Sequence, residues 1–175
     1  MKLETQHRFS VSDYCRLGEL GILGERTELI KGIVIDMDPI GPWHAAVVTT
    51  LTQTFIYQAR ARFGGRVQQP IDLGPASQPQ PDLVLCRPGR YRDRHPGPAD
   101  ILLVVEVADK TLDFDLADKR ALYSGAGIAK YWVIDVQAKK LVRFVQGGVE
   151  QAVSGTRIGP VTFPDVIIDL EELFG

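Results

Sequence analysis

The feature that most constrains this chain is the stretch Ile101–Val107, Ile-Leu-Leu-Val-Val-Glu-Val, in which six of seven residues are apolar. An unbroken apolar run of this length reads as a strand buried on both faces, the pattern of a central sheet position. Glu106 lies inside it. A carboxylate in that place is costly to desolvate unless a cation or several hydrogen bonds compensate it.

A second apolar strand carries a carboxylate at its start, in Pro81-Asp82-Leu83-Val84-Leu85-Cys86. If the two strands pair antiparallel around the connection 87–100, residues whose numbers sum to 188 face each other. That register sets Cys86 opposite Leu102 and Asp82 opposite Glu106. Like charges directly opposed across a ladder repel, so one carboxylate is protonated or a cation lies between them. Taken singly, Asp82 could be a turn residue after Pro81 and Glu106 a strand-end carboxylate reaching solvent. Taken together they favour a site for a hard, oxygen-bound cation, Mg²⁺ or Mn²⁺, because no histidine or cysteine cluster accompanies them.

At 175 residues with 45% hydrophobic and 24% charged content, the chain is expected to form one α/β domain over 1–175 with a substantial core. Two cysteines, Cys15 and Cys86, form no Cys-x-x-Cys pair and no disulfide framework, which suits a reducing compartment. The N-terminus lacks a signal-peptide apolar core, and no run approaches the ~20 residues of a membrane span. A cytoplasmic location is the expectation. A net charge of −2 argues against a nucleic-acid-binding coat over the whole surface and leaves room for a local basic patch.

In chain order, Ser10 or Ser12 caps a short helix that stops before Gly21. Glu28–Met37 reads as a hairpin turning at Lys31-Gly32. A helix is predicted from His44 to Phe63, with Val47, Leu51 and Phe55 at helical spacing and Gly64-Gly65 ending it. Val67–Leu73 reads as an edge strand, because Pro70 cannot donate to a ladder. After the two carboxylate strands come a helix over 113–124, closed by Gly125-Ala126-Gly127, and a buried strand over 130–135. Strand, helix and strand make a βαβ unit with the two strands parallel. A hairpin of Leu141–Val145 and Val149–Val153 follows, and Asp169–Phe174 suggests a last helical turn. The sum is a mixed central β-sheet flanked by helices.

Asp115, Lys119 and Tyr123 stand at i, i+4 and i+8, one stripe of the helix after the Glu106 strand. Such a stripe is either an ordinary Asp–Lys surface pair, worth ~0.3–0.5 kcal/mol, or it aims an ammonium back at the carboxylates. The order Pro81-Asp82, Glu106-Val-Ala-Asp, Asp115-Leu-Ala-Asp-Lys119-Arg-Ala-Leu-Tyr123 and Gly127-Ile-Ala-Lys-Tyr-Trp-Val-Ile-Asp135 resembles the large bacterial family of restriction-endonuclease-like proteins within the PD-(D/E)XK nuclease superfamily. The similarity spans roughly Glu25 to Val145. It implies a restriction-endonuclease-like fold and Mg²⁺-dependent hydrolysis of phosphodiester bonds, with Mn²⁺ as a substitute and double-stranded DNA as the substrate. By the same resemblance Asp82, Glu106 and the Val107 carbonyl would ligate the metal. Lys119 would position or activate water, and Glu28 would be an accessory acid. The superfamily lysine two residues after the glutamate is Ala108 here, so the lysine is Lys119 from the following helix, or else Lys110.

His44 reads as an ordinary helix-entry histidine. Arg87–His95 is the densest basic segment; it suits phosphate contacts or a partner subunit, but a solvated loop is the favoured reading. The hairpin nevertheless sets it about 13 Å from the carboxylates, four residues along the strands. Gly125-Ala126-Gly127 follows a helix and is a C-cap, not a nucleotide loop. The leading expectation is a metal-dependent DNA endonuclease, as a homodimer if both strands are cut. The alternative is a catalytically silent module that binds nucleic acid or protein. A glycosidase built on the carboxylate pair ranks last, because few aromatics surround it and Lys119 would be unexplained.

Overall fold

A computed structural model describes residues 6–59, 61–146, 148–150, 156–160 and 163–175. Helix α1 (Val11–Glu19) opens with a capping box between Ser10 and Asp13. Strands β1 (Thr27–Ile30) and β2 (Ile33–Asp36) form a separate antiparallel ribbon. Its tight turn holds Lys31 and Gly32 at positive φ, 50° and 78°. Helix α2 (Pro42–Ala59) begins on a proline, which suits the first helical position because no intrahelical N–H is needed there.

The central sheet has six strands in the order β3-β4-β5-β6-β7-β8. They are β3 (Gly64–Val67), β4 (Leu83–Cys86), β5 (Ile101–Ala108), β6 (Lys130–Asp135), β7 (Lys140–Val145) and β8 (Gly148–Glu150). Only β5 and β6 pair parallel, as the intervening helix requires. That helix is α3 (Leu112–Phe114), a π-helical turn Asp115–Lys119, and α4 (Arg120–Gly125). A small pair, β9 (Arg157–Ile158) with β10 (Ile168–Asp169), precedes α5 (Leu170–Phe174), which Asp169 caps.

Both faces of the sheet are covered, which is why β4 and β5 are almost wholly apolar. Val47, Leu51 and Phe55 of α2 pack on Leu85, Leu103, Val105 and Ile134. On the opposite face Leu122 and Tyr123 of α4 pack on Val84, Val104, Tyr131 and Val133.

Three expectations shift. Helix α2 ends at Ala59 rather than Phe63, and Gly64-Gly65 begin β3 instead of merely stopping a helix. The edge strand is therefore 64–67, not 67–73. Pairing of Gly64 with Cys86 through Val67 with Leu83 draws the glycines into the ladder, and Gln68 leaves it at φ 49°. The 188 register holds from Leu83↔Val105 to Leu85↔Leu103, but a bulge then sets Cys86 opposite Ile101 rather than Leu102. The last hairpin is seen in β7 and β8, while 151–153 lie outside the described residues. Among the described residues no helix is long and apolar enough to cross a membrane.

Candidate active site

Strand pleat brings the two carboxylates together. Val84 and Cys86 on β4, and Val104 and Ala108 on β5, point to the face covered by the 112–125 helix. Asp82 and Glu106 stand at even positions in the same alternation, so both side chains reach that face. They are 7% and 2% exposed. The Asp82 amide donates to Glu106 Oε2 at 3.2 Å, and the Val107 amide donates to Asp82 Oδ2 at 2.9 Å. These crossed bonds join the ends of the two strands through their carboxylates.

Each carboxylate has one crowded oxygen and one with room. Glu106 Oε1 accepts from Lys119 Nζ at 3.1 Å and from the Tyr123 hydroxyl at 2.6 Å. Asp82 Oδ1 accepts from Gln68 Nε2 at 3.2 Å and lies 3.0 Å from His44 Nε2. A carboxylate oxygen offers about two lone-pair positions, so Asp82 Oδ2 and Glu106 Oε2 each keep one acceptor position beyond their single amide bond.

Lys119 is buried among three carboxylates. Its Nζ lies 3.1 Å from Glu106, 3.2 Å from Glu28 and 3.9 Å from Asp115. Asp115 and Lys119 delimit the π-helical turn, a feature that concentrates at functional sites. Glu28 is brought here by β1, because the extended chain before Asp82 is stitched to that strand. Gln78 and Leu29 exchange backbone bonds, and the Gln80 amide donates to Glu28 Oε2 at 3.1 Å. The Thr111 hydroxyl donates to Asp115 Oδ2 at 2.6 Å.

Three buried carboxylates around one ammonium leave the cluster short of positive charge. Burial pushes the Glu106 carboxyl up to about 8, against the opposing pull of Lys119. Burial likewise raises Asp115 to about 6. Burial alone would lower the Lys119 ammonium's pKa, but Glu106, Glu28 and Asp115 outweigh it and hold the lysine protonated. Asp82 differs. Burial pushes its carboxyl up, but the His44 contact and the Val107 and Gln68 hydrogen bonds bring it below the ordinary carboxylate range.

These groups form the floor of a cavity of about 240 Å³ that opens between the β1–β2 ribbon, the start of α2 and the 109–114 segment. The structure thus brings together Asp82, Glu106, Lys119, Glu28 and Val107. Lys110 lines the same cavity but is exposed and forms no ion pair with these carboxylates among the described residues, so the lysine in contact with Glu106 is Lys119. His44 is no bystander at the helix entry. It touches Asp82, and its Nδ1 is buried without a hydrogen-bond partner. Gln68 escaped the sequence reading altogether, and nothing in local sequence marks it; its strained φ and its contact with Asp82 exist only in the fold. Tyr123 was visible as the third member of the Asp115–Lys119 stripe, though not as a donor to Glu106. The Arg87–His95 loop is braced against the segment that leads into β5. Arg94 pairs with Asp100 at 2.6 Å, and Arg87 Nε donates to the Ala99 carbonyl.

Among the described residues, no group of three or more His, Cys, Asp or Glu side chains is arranged as a metal cluster. Mg²⁺ seldom needs one. It is commonly held by one or two carboxylates, with water and substrate phosphate oxygens completing the shell. The open positions on Asp82 Oδ2 and Glu106 Oε2, and the charge deficit behind them, fit a hard divalent ion.

No curated protein matches the chain. Among solved structures, a "putative nuclease belonging to DUF820" from Anabaena variabilis ATCC 29413 is similar, with a TM-score of 0.71 at 15% identity over 90% of this chain and 96% of that one. That likeness establishes the fold as restriction-endonuclease-like. The family model Uma2, described as "Putative restriction endonuclease", matches residues 12–171. The chain belongs to the Uma2 family of restriction-endonuclease-like proteins.

Proposed function

We propose that the protein is a Mg²⁺-dependent nuclease that hydrolyses phosphodiester bonds in DNA as an endonuclease. The observation that carries this reading is the facing of two buried carboxylates, Asp82 and Glu106, with Lys119 hydrogen-bonded to the second. Asp82 and Glu106 would hold the ion, with the Val107 carbonyl as a further oxygen ligand. Bound there, Mg²⁺ would lower the pKa of a water and offset charge developing on the phosphate.

The chain's own residues do the rest. Lys119 is fixed by three carboxylates, so its ammonium stays charged and in place to orient a water or a phosphate oxygen. Tyr123 and Lys119 saturate Glu106 Oε1, so the remaining acceptor position of Oε2 is the one that would hold an ion. His44 and Gln68 do the same for Asp82, saturating Oδ1 and leaving the one acceptor position of Oδ2 beyond its Val107 bond. Asp115 and Glu28 hold the lysine as positioning residues. Ala108 stands where the superfamily lysine is expected, and Lys119 supplies that charge from the helix instead.

The first test is thermal unfolding with and without Mn²⁺, for wild type and for Asp82→Asn with Glu106→Gln. A ligand at 100 times its Kd stabilises by ~2.7 kcal/mol. Wild type should shift upward and the double variant should not. An equal response in both removes the metal site and leaves the silent binding module as the better account.

A further inference from the structure

We propose that Arg66 of β3 and the arginines of the β4–β5 connection form an anchor for nucleic-acid phosphates, remote from the carboxylate cluster. Naming nucleic acid among polyanions rests on the nuclease reading; the anion anchor itself does not.

Charge around the carboxylate cluster is the first observation. Asp36, Asp38 and Asp109 join buried Glu28, Asp82, Glu106 and Asp115 around the cavity, and its lysines and arginines among the described residues are Arg26, Lys110 and Lys119. Arg26 is held on the Asp38 carbonyl at 2.8 Å, and Lys119 is ringed by Glu28, Glu106 and Asp115. Such a mouth carries net negative charge, so without a divalent ion it repels a phosphate backbone. Attraction at longer range has to come from elsewhere on the surface.

The second observation is an arginine cluster at the other end of β4. Arg87, Arg90, Arg92 and Arg94 are exposed on the connection from Cys86 to Ile101. Arg94 clamps Asp100 with both Nη atoms, at 2.6 and 3.1 Å, and lies over the Tyr91 ring. The Tyr91 hydroxyl donates to the Arg87 carbonyl at 2.8 Å, and Arg87 Nε donates to the Ala99 carbonyl at 3.1 Å. Between these braces Arg90 and Arg92 share one tight turn, the Arg92 amide donating to the Arg90 carbonyl at 3.0 Å. Their guanidinium groups make no hydrogen bond or ion pair among the described residues.

Arg66 is the third observation, and local sequence does not mark it. It pairs with Val84 in the ladder, which sets its side chain on the face of Val84 and Cys86. There its Nε is buried without a hydrogen-bond partner, a costly state for a guanidinium until an anion completes it. Its charge reaches the loop: burial, and then Arg66, hold the His95 ring below its ordinary pKa. Asp100 is neutralised by Arg94, and Asp72 accepts from the Gly74 amide. Arg66, Arg87, Arg90 and Arg92 therefore outweigh Asp72 and Asp93. Guanidinium forks match phosphate oxygens two at a time, and such contacts supply the sequence-independent part of nucleic-acid affinity. The connection leaves β4 four residues beyond Asp82, about 13 Å along the strand. At about 3.4 Å per phosphate on one strand, about four phosphates separate the anchor from the one at the metal position.

The test is fluorescence anisotropy of the full chain with a labelled random-sequence duplex of about 30 base pairs, in EDTA between ~50 and ~200 mM salt. Without a divalent ion the anchor alone is read, and log K falls against log salt by about 0.9 for each phosphate neutralised. Wild type should show a slope of about −3, from Arg66, Arg90 and Arg92. Arg90→Ala with Arg92→Ala should take about 2 off that slope and weaken binding about tenfold per arginine at ~0.1 M salt, with the Mn²⁺-induced thermal shift kept. Arg66→Met should take off about 1. Asp82→Asn with Glu106→Gln should bind at least as tightly as wild type, having lost charge that repels phosphate. A double arginine variant that binds as wild type does overturns the anchor and leaves the nuclease reading standing. Poly-glutamate that displaces the duplex as readily as unlabelled duplex also overturns it, in favour of an acidic protein partner. Arginine-dependent binding with no Mn²⁺ shift in wild type keeps the anchor and removes the nuclease reading.

Discussion

Replacing Lys119 by Met removes the only ammonium from a buried group of three carboxylates while keeping most of the side chain's volume. Its Nζ lies 3.1 to 3.9 Å from Glu106, Glu28 and Asp115, and the residue is 5% exposed. Removing one partner of a buried ion pair costs ~3–5 kcal/mol, because the remaining charge stays buried and uncompensated. For a chain of this length each kcal/mol moves Tm by ~2–4 °C, so a fall of roughly 6–20 °C is expected near pH 8. The pH dependence is the more telling part. Asp115 and Glu106 already have raised pKa values in the fold, about 6 and about 8. A carboxyl raised in the folded state stabilises the fold while protonated, and that contribution is lost as pH climbs from its unfolded value through its folded one. Lys119 is the main group holding both values down, so Lys119→Met raises them further and widens that window of loss. Above pH 6 the variant should lose about one proton's worth more than wild type, ~1.4 kcal/mol per pH unit. Near pH 5 much of the penalty should vanish, because the carboxyls can then be neutral. Urea unfolding of both proteins from pH 5 to pH 8 measures this. A penalty equal at the two ends would refute the electrostatic account and leave Lys119 as a packing residue.

Other outcomes follow from the same geometry. Mn²⁺ should bind more tightly as pH rises from 6 to 8, with proton release, because the ion competes with the proton held by Glu106; calorimetry in buffers of different ionisation enthalpy would detect that proton, and a pH-independent affinity with no release would count against Glu106 as a ligand. His44→Leu should weaken Mn²⁺ binding by ~10–100-fold, the usual cost of losing an outer partner of a ligand, whereas His44→Gln should recover part of it by offering an amide near the Nε2 position. Tyr123→Phe removes a 2.6 Å donor from fully buried Glu106. Its unfolding free energy should fall by ~1.5–3 kcal/mol above pH 8, as for a hydrogen bond to a charged group, and by less where Glu106 is protonated. Leu51→Ala, on the opposite face of the sheet, should cost ~2–5 kcal/mol and leave Mn²⁺ affinity unchanged.

The sequence by itself determined the parts that depend on neighbours along the chain. Apolar runs and their alternation placed β4, β5 and β6. Glycine and proline punctuation placed the β1–β2 turn and the end of α4. The symmetric connection 87–100 was enough to set Leu83↔Val105 and bring Asp82 to Glu106. Helical spacing put Asp115, Lys119 and Tyr123 on one stripe. Local rules failed at the sheet edge, where pairing with β4 overrode the chain-breaking tendency of Gly64-Gly65 and made them strand. They were equally blind to contacts between distant segments. Gln68, His44 and Glu28 lie 14, 38 and 54 residues from Asp82 in the sequence and meet it, or its neighbours, only because β3, α2 and the β1–β2 ribbon converge on one end of the sheet. Which lysine approaches Glu106 was likewise settled in three dimensions: Lys119 turns inward from the π-helical turn, while Lys110 lines the cavity but stays exposed. Depth was decided there too. Spacing can align carboxylates on a strand, but only packing of the ribbon and helices over the sheet buries them and raises the Glu106 carboxyl, since desolvation depends on everything that excludes water from the site.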